Sequence, residues 1–247
     1  MRYDPRQWQL SPGAIDTVKV VALVAMVIDH ANTLFLNPSR PELFALGRMA
    51  FPLFAFIWAL NVNKQPERLQ ARANRLWIWS LITQPAFYLA FQRIDPWYAF
   101  NILFVFAGVT QLLAWAHRYR EAGVAAGTVL LCALVWPLNF ASYGPQGLVL
   151  TLALAVTFSP ALRRWHTLSL CAVAVALVML NGMYRIAAQP LDTLIYYVLP
   201  TLLLPFAALW VIQRIKPDGS PRFMPSQFFY YAYAGHLLAY GLVIALG

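Results

Sequence analysis

Charge is what this chain has least of. Only 11% of its 247 residues are Asp, Glu, Lys or Arg, against roughly 25% in an average soluble domain. So few polar groups cannot coat a soluble core of this size, which excludes an ordinary cytosolic domain. The 61% hydrophobic content and mean hydropathy of +0.60 exclude a disordered chain. Cysteine is nearly absent. Cys132 and Cys171 stand singly in apolar runs, so no disulfide-stapled module is implied and both read as packing residues. HExxH, CxxC, Walker and GxGxxG patterns are missing, so metal, redox and nucleotide-fold chemistry have no support and no metal is expected. Low-complexity segments and internal repeats of 20–50 residues are missing too.

What remains is an integral membrane protein. The expected fold class is all-α, a polytopic transmembrane helix bundle forming one domain over residues 1–247. Open sheet edges cannot face lipid, and no period-2 barrel pattern appears. A bilayer core needs roughly 17–25 helical residues per crossing. The apolar runs predict nine spans, at about 14–36, 43–61, 74–91, 99–116, 123–138, 146–159, 167–184, 193–213 and 227–246. The fifth and sixth are short and flank the stretch Tyr143-Gly144-Pro145-Gln146-Gly147. Asp29 and His30 stand where a cleaved signal peptide would need small residues, so the first span reads as a membrane helix.

The net charge of +9 does not point to nucleic acid, because the basic residues sit singly between apolar runs. Placing the N-terminus in the cytoplasm puts thirteen Lys and Arg on inner segments, at 2–6, 64–75, 118–120, 163–164 and 214–222. Lys19, low in the first span, joins them. Arg40, Arg48, Arg93 and Arg185 fall outside. That asymmetry predicts an N-in, C-out topology.

Ionisable residues inside the membrane are costly unless paired or hydrated, so they point to function. Asp29 and His30 lie in the outer half of the first span. They read either as a helix-end cap reaching interfacial water or as a general base. A neighbouring carboxylate can raise and orient a histidine, but adjacent helical residues point about 100° apart, so Asp29 either orients His30 through water or a distorted turn or serves another group. Lys19 precedes His30 by eleven positions, which returns to within about 20° of the same helix face at a separation of about 16 Å. Asp16, one turn below, can pair with Lys19. Lys19 is thus either a snorkelling lysine or a clamp for an anionic cofactor whose long arm reaches His30. Arg48 can anchor to headgroups, pair with Asp29 or stabilise an oxyanion. His236, mid-span, must face the bundle, as a packing or a site-lining residue. Asn101, Gln84 and Asn139 are weaker candidates of the same kind.

Two blocks make the chain recognisable. Lys19-Val20-Val21-Ala22-Leu23-Val24-Ala25-Met26-Val27-Ile28-Asp29-His30 is followed by Gly47-Arg48-Met49-Ala50-Phe51-Pro52-Leu53-Phe54. Later come Asn74-Arg75-Leu76-Trp77, Asn101-Ile102-Leu103-Phe104, Ser142-Tyr143-Gly144 and Tyr231-Ala232-Tyr233-Ala234-Gly235-His236-Leu237. Together, from about residue 11 to 247, they resemble the TraX family of conjugal-transfer pilin acetylases of the bacterial inner membrane. Gln84 and Gly235 depart from it, since many relatives carry an acidic residue and a proline there. The chain is also distantly similar to the wider transmembrane acyltransferases, which pair a first-helix basic residue with a histidine at the Lys19–His30 spacing.

The resemblance implies a multi-pass inner-membrane acetyltransferase that moves acetyl from acetyl-CoA to the N-terminal amine of a pilin subunit. Its partners would be pilin, acetyl-CoA and the lipid bilayer, without nucleic acid. In that reading His30, Asp29 and His236 are the candidate catalytic residues. Lys19, Arg72 and Arg75 hold the cofactor phosphates. Arg48, Asn101, Tyr143 and Tyr233 are the candidate substrate or oxyanion residues. The rival readings are a small-molecule transporter, since polar residues in proline-broken helices also line substrate pathways, and a non-catalytic membrane partner of the pilus assembly machinery.

Overall fold

A computed structural model of the chain describes residues 10–141, 143–180, 187–216, 218–225 and 227–246. Arg2, Arg6 and Arg185 of the charge count and Ser142 of the motif blocks lie outside the described residues. Among the described residues no strand occurs; the protein is an all-α assembly of apolar helices. Six helices are long and apolar enough to cross a bilayer: Pro12–Phe35, Pro41–Lys64, Leu103–Leu138, Pro160–Met179, Pro190–Ile215 and Phe228–Leu246. By length and composition these are six candidate spans among the described residues, and the nine predicted from the apolar runs are not confirmed. The difference has three sources. Leu69–Phe91 carries Arg72 and Arg75 in its first turns. Gly144–Thr157 has only 14 residues. The fourth and fifth predicted spans fall in the two arms of one element, Leu103–Leu138, which counts once by length.

The chain folds as two compact units, Met1–Ile57 with Asn181–Phe229, and Trp58–Leu180 with Tyr230–Gly247. In the first, helix α1 (Pro12–Phe35) starts where Pro12 pre-sets the helical φ and the Ser11 hydroxyl accepts the Ala14 N–H at 3.2 Å. It runs without a break to Leu36, whose extended backbone ends it. A short α2 (Pro41–Gly47) follows, then α3 (Ala50–Lys64), which enters the second unit at Trp58. Helix α8 (Pro190–Ile215) contains one π-helical turn, Leu194–Val198. Pro200 offers no N–H and its ring crowds the preceding turn, so the Leu199 N–H reaches back five residues to the Leu194 carbonyl. The turn brings Tyr197 to 4.5 Å from the Phe44 ring of α2.

In the second unit α4 (Leu69–Phe91) packs along α5 (Leu103–Leu138). Arg120, at φ 56°, folds α5 back on itself into arms 103–119 and 121–138. The arms approach closely because Gly127 lacks a side chain: a Cβ there would lie 2.7 Å from Leu112. The unit is stapled by side-chain hydrogen bonds. Trp58 Nε1 donates to Thr110 at 3.0 Å, Gln70 and Gln111 exchange amide bonds at 3.3 and 3.0 Å, and Asn63 donates to the Ala155 carbonyl at 2.9 Å. Around them Val62, Leu69, Ala114 and Ala155 form an apolar cluster. Helices α6 (Gly144–Thr157) and α7 (His166–Met179) pack together through a buried Thr157–Ser169 bond of 2.9 Å. Helix α9 (Phe228–Leu246) lays Gly241 against Leu89 and Ala90 of α4, and the Arg93 guanidinium caps its last turn at the Ile244 carbonyl, 3.2 Å away. Cys132 and Cys171 are exposed. They are not packed inside the bundle, which corrects the reading of both as packing residues.

Candidate functional site

Helix α1 carries the polar residues of the first unit on one unbroken cylinder, so the Lys19–His30 spacing keeps its helical meaning. Both are half-buried. Asp29, one residue from His30, turns to a different neighbour. Its Oδ2 accepts from Arg48 Nη2 at 2.9 Å, and both side chains are largely sequestered, 13% and 10% exposed. Arg48 stands at the end of α2, with its guanidinium 3.9 Å from the Phe44 ring centroid. The expected Asp29–Arg48 pair is therefore present, and its existence limits Asp29. The carboxylate serves Arg48 rather than orienting the imidazole.

Two residues that carried no role in the sequence reading build this pair. Gly47 is the first. A Cβ on it would lie 2.4 Å from Asp29 Cβ and 2.6 Å from its Oδ1, so only glycine lets α2 come this close to α1. Asn32 is the second. Its fully buried side-chain amide accepts the Arg40 N–H at 2.7 Å and donates to the Arg40 carbonyl at 3.0 Å, fixing the loop that delivers α2. A buried asparagine one turn beyond Asp29 is a legible signal in retrospect, and so is the glycine directly before Arg48. Asp29 Oδ1 is buried and accepts no hydrogen bond among the described residues.

At the other end of α1, Lys19 Nζ lies 3.8 Å from Asp16, the i,i+3 partner expected from spacing, and 5.1 Å from the Phe229 ring centroid. Asp16 has further partners on the segment 222–224, which nothing in the sequence pattern indicates.

The second unit holds the other candidates. Asn101, fully buried, donates its two amide hydrogens to the Ser80 carbonyl and to Gln84 Oε1, both at 2.9 Å, and its Oδ1 accepts the Leu103 N–H at 3.0 Å. Its donors are spent on joining α4 to α5, so it has none left for an oxyanion. Gln84 completes the joint by donating to the Ala99 carbonyl at 2.7 Å. Tyr233 is buried. His236 donates from Nδ1 to the Ala232 carbonyl at 3.1 Å and lies between the rings of Tyr233 and Tyr240, at 5.6 and 5.7 Å. Tyr143 adopts a left-handed conformation, φ 61°, and starts α6. Arg72 donates to the Asn61 carbonyl and to Gln65 Oε1, while Arg75 is exposed. Outside the helices, burial pushes the Asp95 carboxyl up to about 6.

Comparison with known proteins agrees with this arrangement of blocks. The family model described as "TraX protein" matches residues 14–244. A relative named Protein TraX from Escherichia coli is 38% identical over 233 residues, covering 94% of this chain and 88% of its own length. A second, from Escherichia coli strain K12, is 36% identical over the same shares. A protein of Dichelobacter nodosus described as "Probable fimbrial assembly protein FimC, serogroup H1" is 27% identical over 231 residues, 89% of this chain and 91% of its own. No solved structure matches. With the match running from the first turn of α1 to the last turn of α9, the chain belongs to the TraX family.

Proposed function

We propose that this protein is an acetyltransferase of the bacterial inner membrane that moves acetyl from acetyl-CoA to the N-terminal amine of a pilin subunit. One relative's description as a fimbrial assembly protein supports a pilin-type partner. The observation that carries the chemistry is the continuity of α1 from Lys19 to His30. A cation and an imidazole share one face about 16 Å apart, a span suited to an extended thioester donor held by its charged end.

An N-terminal amine has a pKa of roughly 7.7–8.0, so at neutral pH much of it is protonated and not nucleophilic. His30 takes the proton. The freed amine attacks the thioester carbonyl, the C–N bond forms and the C–S bond breaks. The thiolate leaves and takes up the proton held by His30, and the new C–N nitrogen passes its surplus proton to the vacated imidazole, which releases it to solvent, so that the products are the amide, the CoA thiol and one proton. Asp29, bound to Arg48, contributes by fixing the outer end of α1 rather than by contact with the imidazole. Direct transfer needs no acetyl-enzyme.

The test is purified protein in lipid nanodiscs with radiolabelled acetyl-CoA and processed pilin. Wild type transfers label to pilin, and His30→Ala loses on the order of 10²–10⁴-fold in rate while keeping the wild-type melting temperature. No label on pilin with wild type defeats the proposal and leaves transport or a non-catalytic assembly role. Full transfer by His30→Ala removes the histidine from the chemistry.

A further inference from the structure

The end of α1 that carries Lys19 is closed by a segment from the far end of the first unit. Asp16 is almost fully buried, and its Oδ2 accepts the backbone N–H groups of Phe223 and Met224 at 3.2 and 3.1 Å. The Gly13 N–H donates to the Ser220 carbonyl at 2.9 Å. These bonds strap residues 220–224 across the start of α1. The strap brings a second cation to the same carboxylate: Lys19 Nζ and Arg222 Nε each lie 3.8 Å from Asp16 Oδ1.

One carboxylate between two cations leaves an excess of one positive charge. Both contacts are longer than a hydrogen bond, so neither cation spends a donor on Asp16. Lys19 is 19% exposed against the Phe229 ring, in surroundings of low dielectric where the excess charge is felt strongly. Arg222 is 51% exposed. Lys216, over the Phe223 ring at 5.7 Å, adds a further cation beside the strap, partly offset in charge by Asp218 two positions along the sequence. A fixed ammonium beside a planar guanidinium matches phosphate oxygens, which take a point charge from one and paired hydrogen bonds from the other.

We propose that Lys19 and Arg222, set side by side by Asp16, bind the phosphate groups of the acyl donor. This rests on the acetyl-CoA reading above and extends it. Arg222 joins Lys19 in holding the donor, a role the sequence pattern does not give it.

Calorimetric titration of the full chain in zwitterionic nanodiscs, with CoA and separately with inorganic pyrophosphate, tests it. Wild type binds both. Lys19→Gln and Arg222→Gln each weaken both ligands about tenfold, with a shallower salt dependence. Arg222→Lys recovers part of the loss, and Lys64→Gln, a cation elsewhere on the chain, changes neither. Wild-type affinity in Arg222→Gln overturns the site even if pilin is acetylated normally. Failure of wild type to bind either ligand also overturns it. Binding that depends on Arg222, without acetyl transfer to pilin, keeps the site and overturns the acetyltransferase reading.

Discussion

The Asp29–Arg48 pair shows how one missing methyl group can decide a site. Two sequestered charges 2.9 Å apart are tolerable only together, and removing one partner of such a pair typically costs about 3–5 kcal/mol. Their meeting depends on Gly47, because any Cβ there would overlap Asp29. Gly47→Ala must therefore either push the carboxylate off Arg48 or part α1 from α2. Overpacking of this kind costs about 1–3 kcal/mol, read as a lower midpoint of thermal unfolding in detergent. The specific check is a double-mutant cycle with Asp29→Gly, which removes the colliding atoms. If Gly47 acts through Asp29, the alanine costs far less in that background, with a coupling of at least about 1 kcal/mol. Equal costs in both backgrounds would show that the glycine serves something else.

At the scale of elements, Asn101 gathers one end of the junction between α4 and α5, with Gln84 beside it and the Gln70–Gln111 pair further along. Asn101 caps α5 through Leu103 and ties it to Ser80 and Gln84 of α4. Asn101→Ala loses the cap, worth about 1 kcal/mol, and leaves buried acceptors unpaired at about 1–3 kcal/mol more. Thermal unfolding should register that loss, while the proposed acetyl transfer, measured per folded molecule, stays unchanged, because both amide hydrogens of Asn101 are bonded within the joint. A fall in turnover at wild-type stability would restore the substrate role the sequence suggested. How far the elements were legible follows from the same physics. Apolar runs mark the helices because burial in lipid leaves no alternative, and the charges at Arg118, Arg120 and Glu121 mark where α5 turns back. The Lys19–Asp16 contact is legible because it is local to one helix turn. The partners that define both ends of α1 are not, since Gly47 acts by an absence and Arg222 meets Asp16 across 205 intervening positions of chain. The same distinction explains Asn101: a polar residue at a span edge is visible in sequence, but whether its hydrogens are spent is a tertiary fact.

For the molecule as a whole, the scarcity of acidic residues makes each half-buried carboxylate matter to stability. Asp95 lies in the turn after α4, half-buried, with its own N–H bonded to the Phe91 carbonyl at 2.8 Å. Burial raises its carboxyl from 3.8 to about 6, so the folded protein favours the protonated form more than the unfolded chain does. The contribution of Asp95 to stability is thus at its best below about 3.8 and is lost as pH rises through about 6. That displacement would convert to about 3 kcal/mol for a fully buried group, and solvent screening of a half-buried one lowers it to about 1–2 kcal/mol. Asp95→Asn keeps the backbone bond and removes the ionisation. It should stabilise the protein by about 1–2 kcal/mol at pH 7.5 and by visibly less at pH 5, where the carboxyl is already mostly protonated. Thermal unfolding of both proteins at the two pH values gives the comparison. A gain that is equal at both, or a loss at pH 7.5, would mean that the carboxylate is paired or solvated in the membrane-bound molecule and that the turn after α4 is not the acid-favouring element its burial makes it.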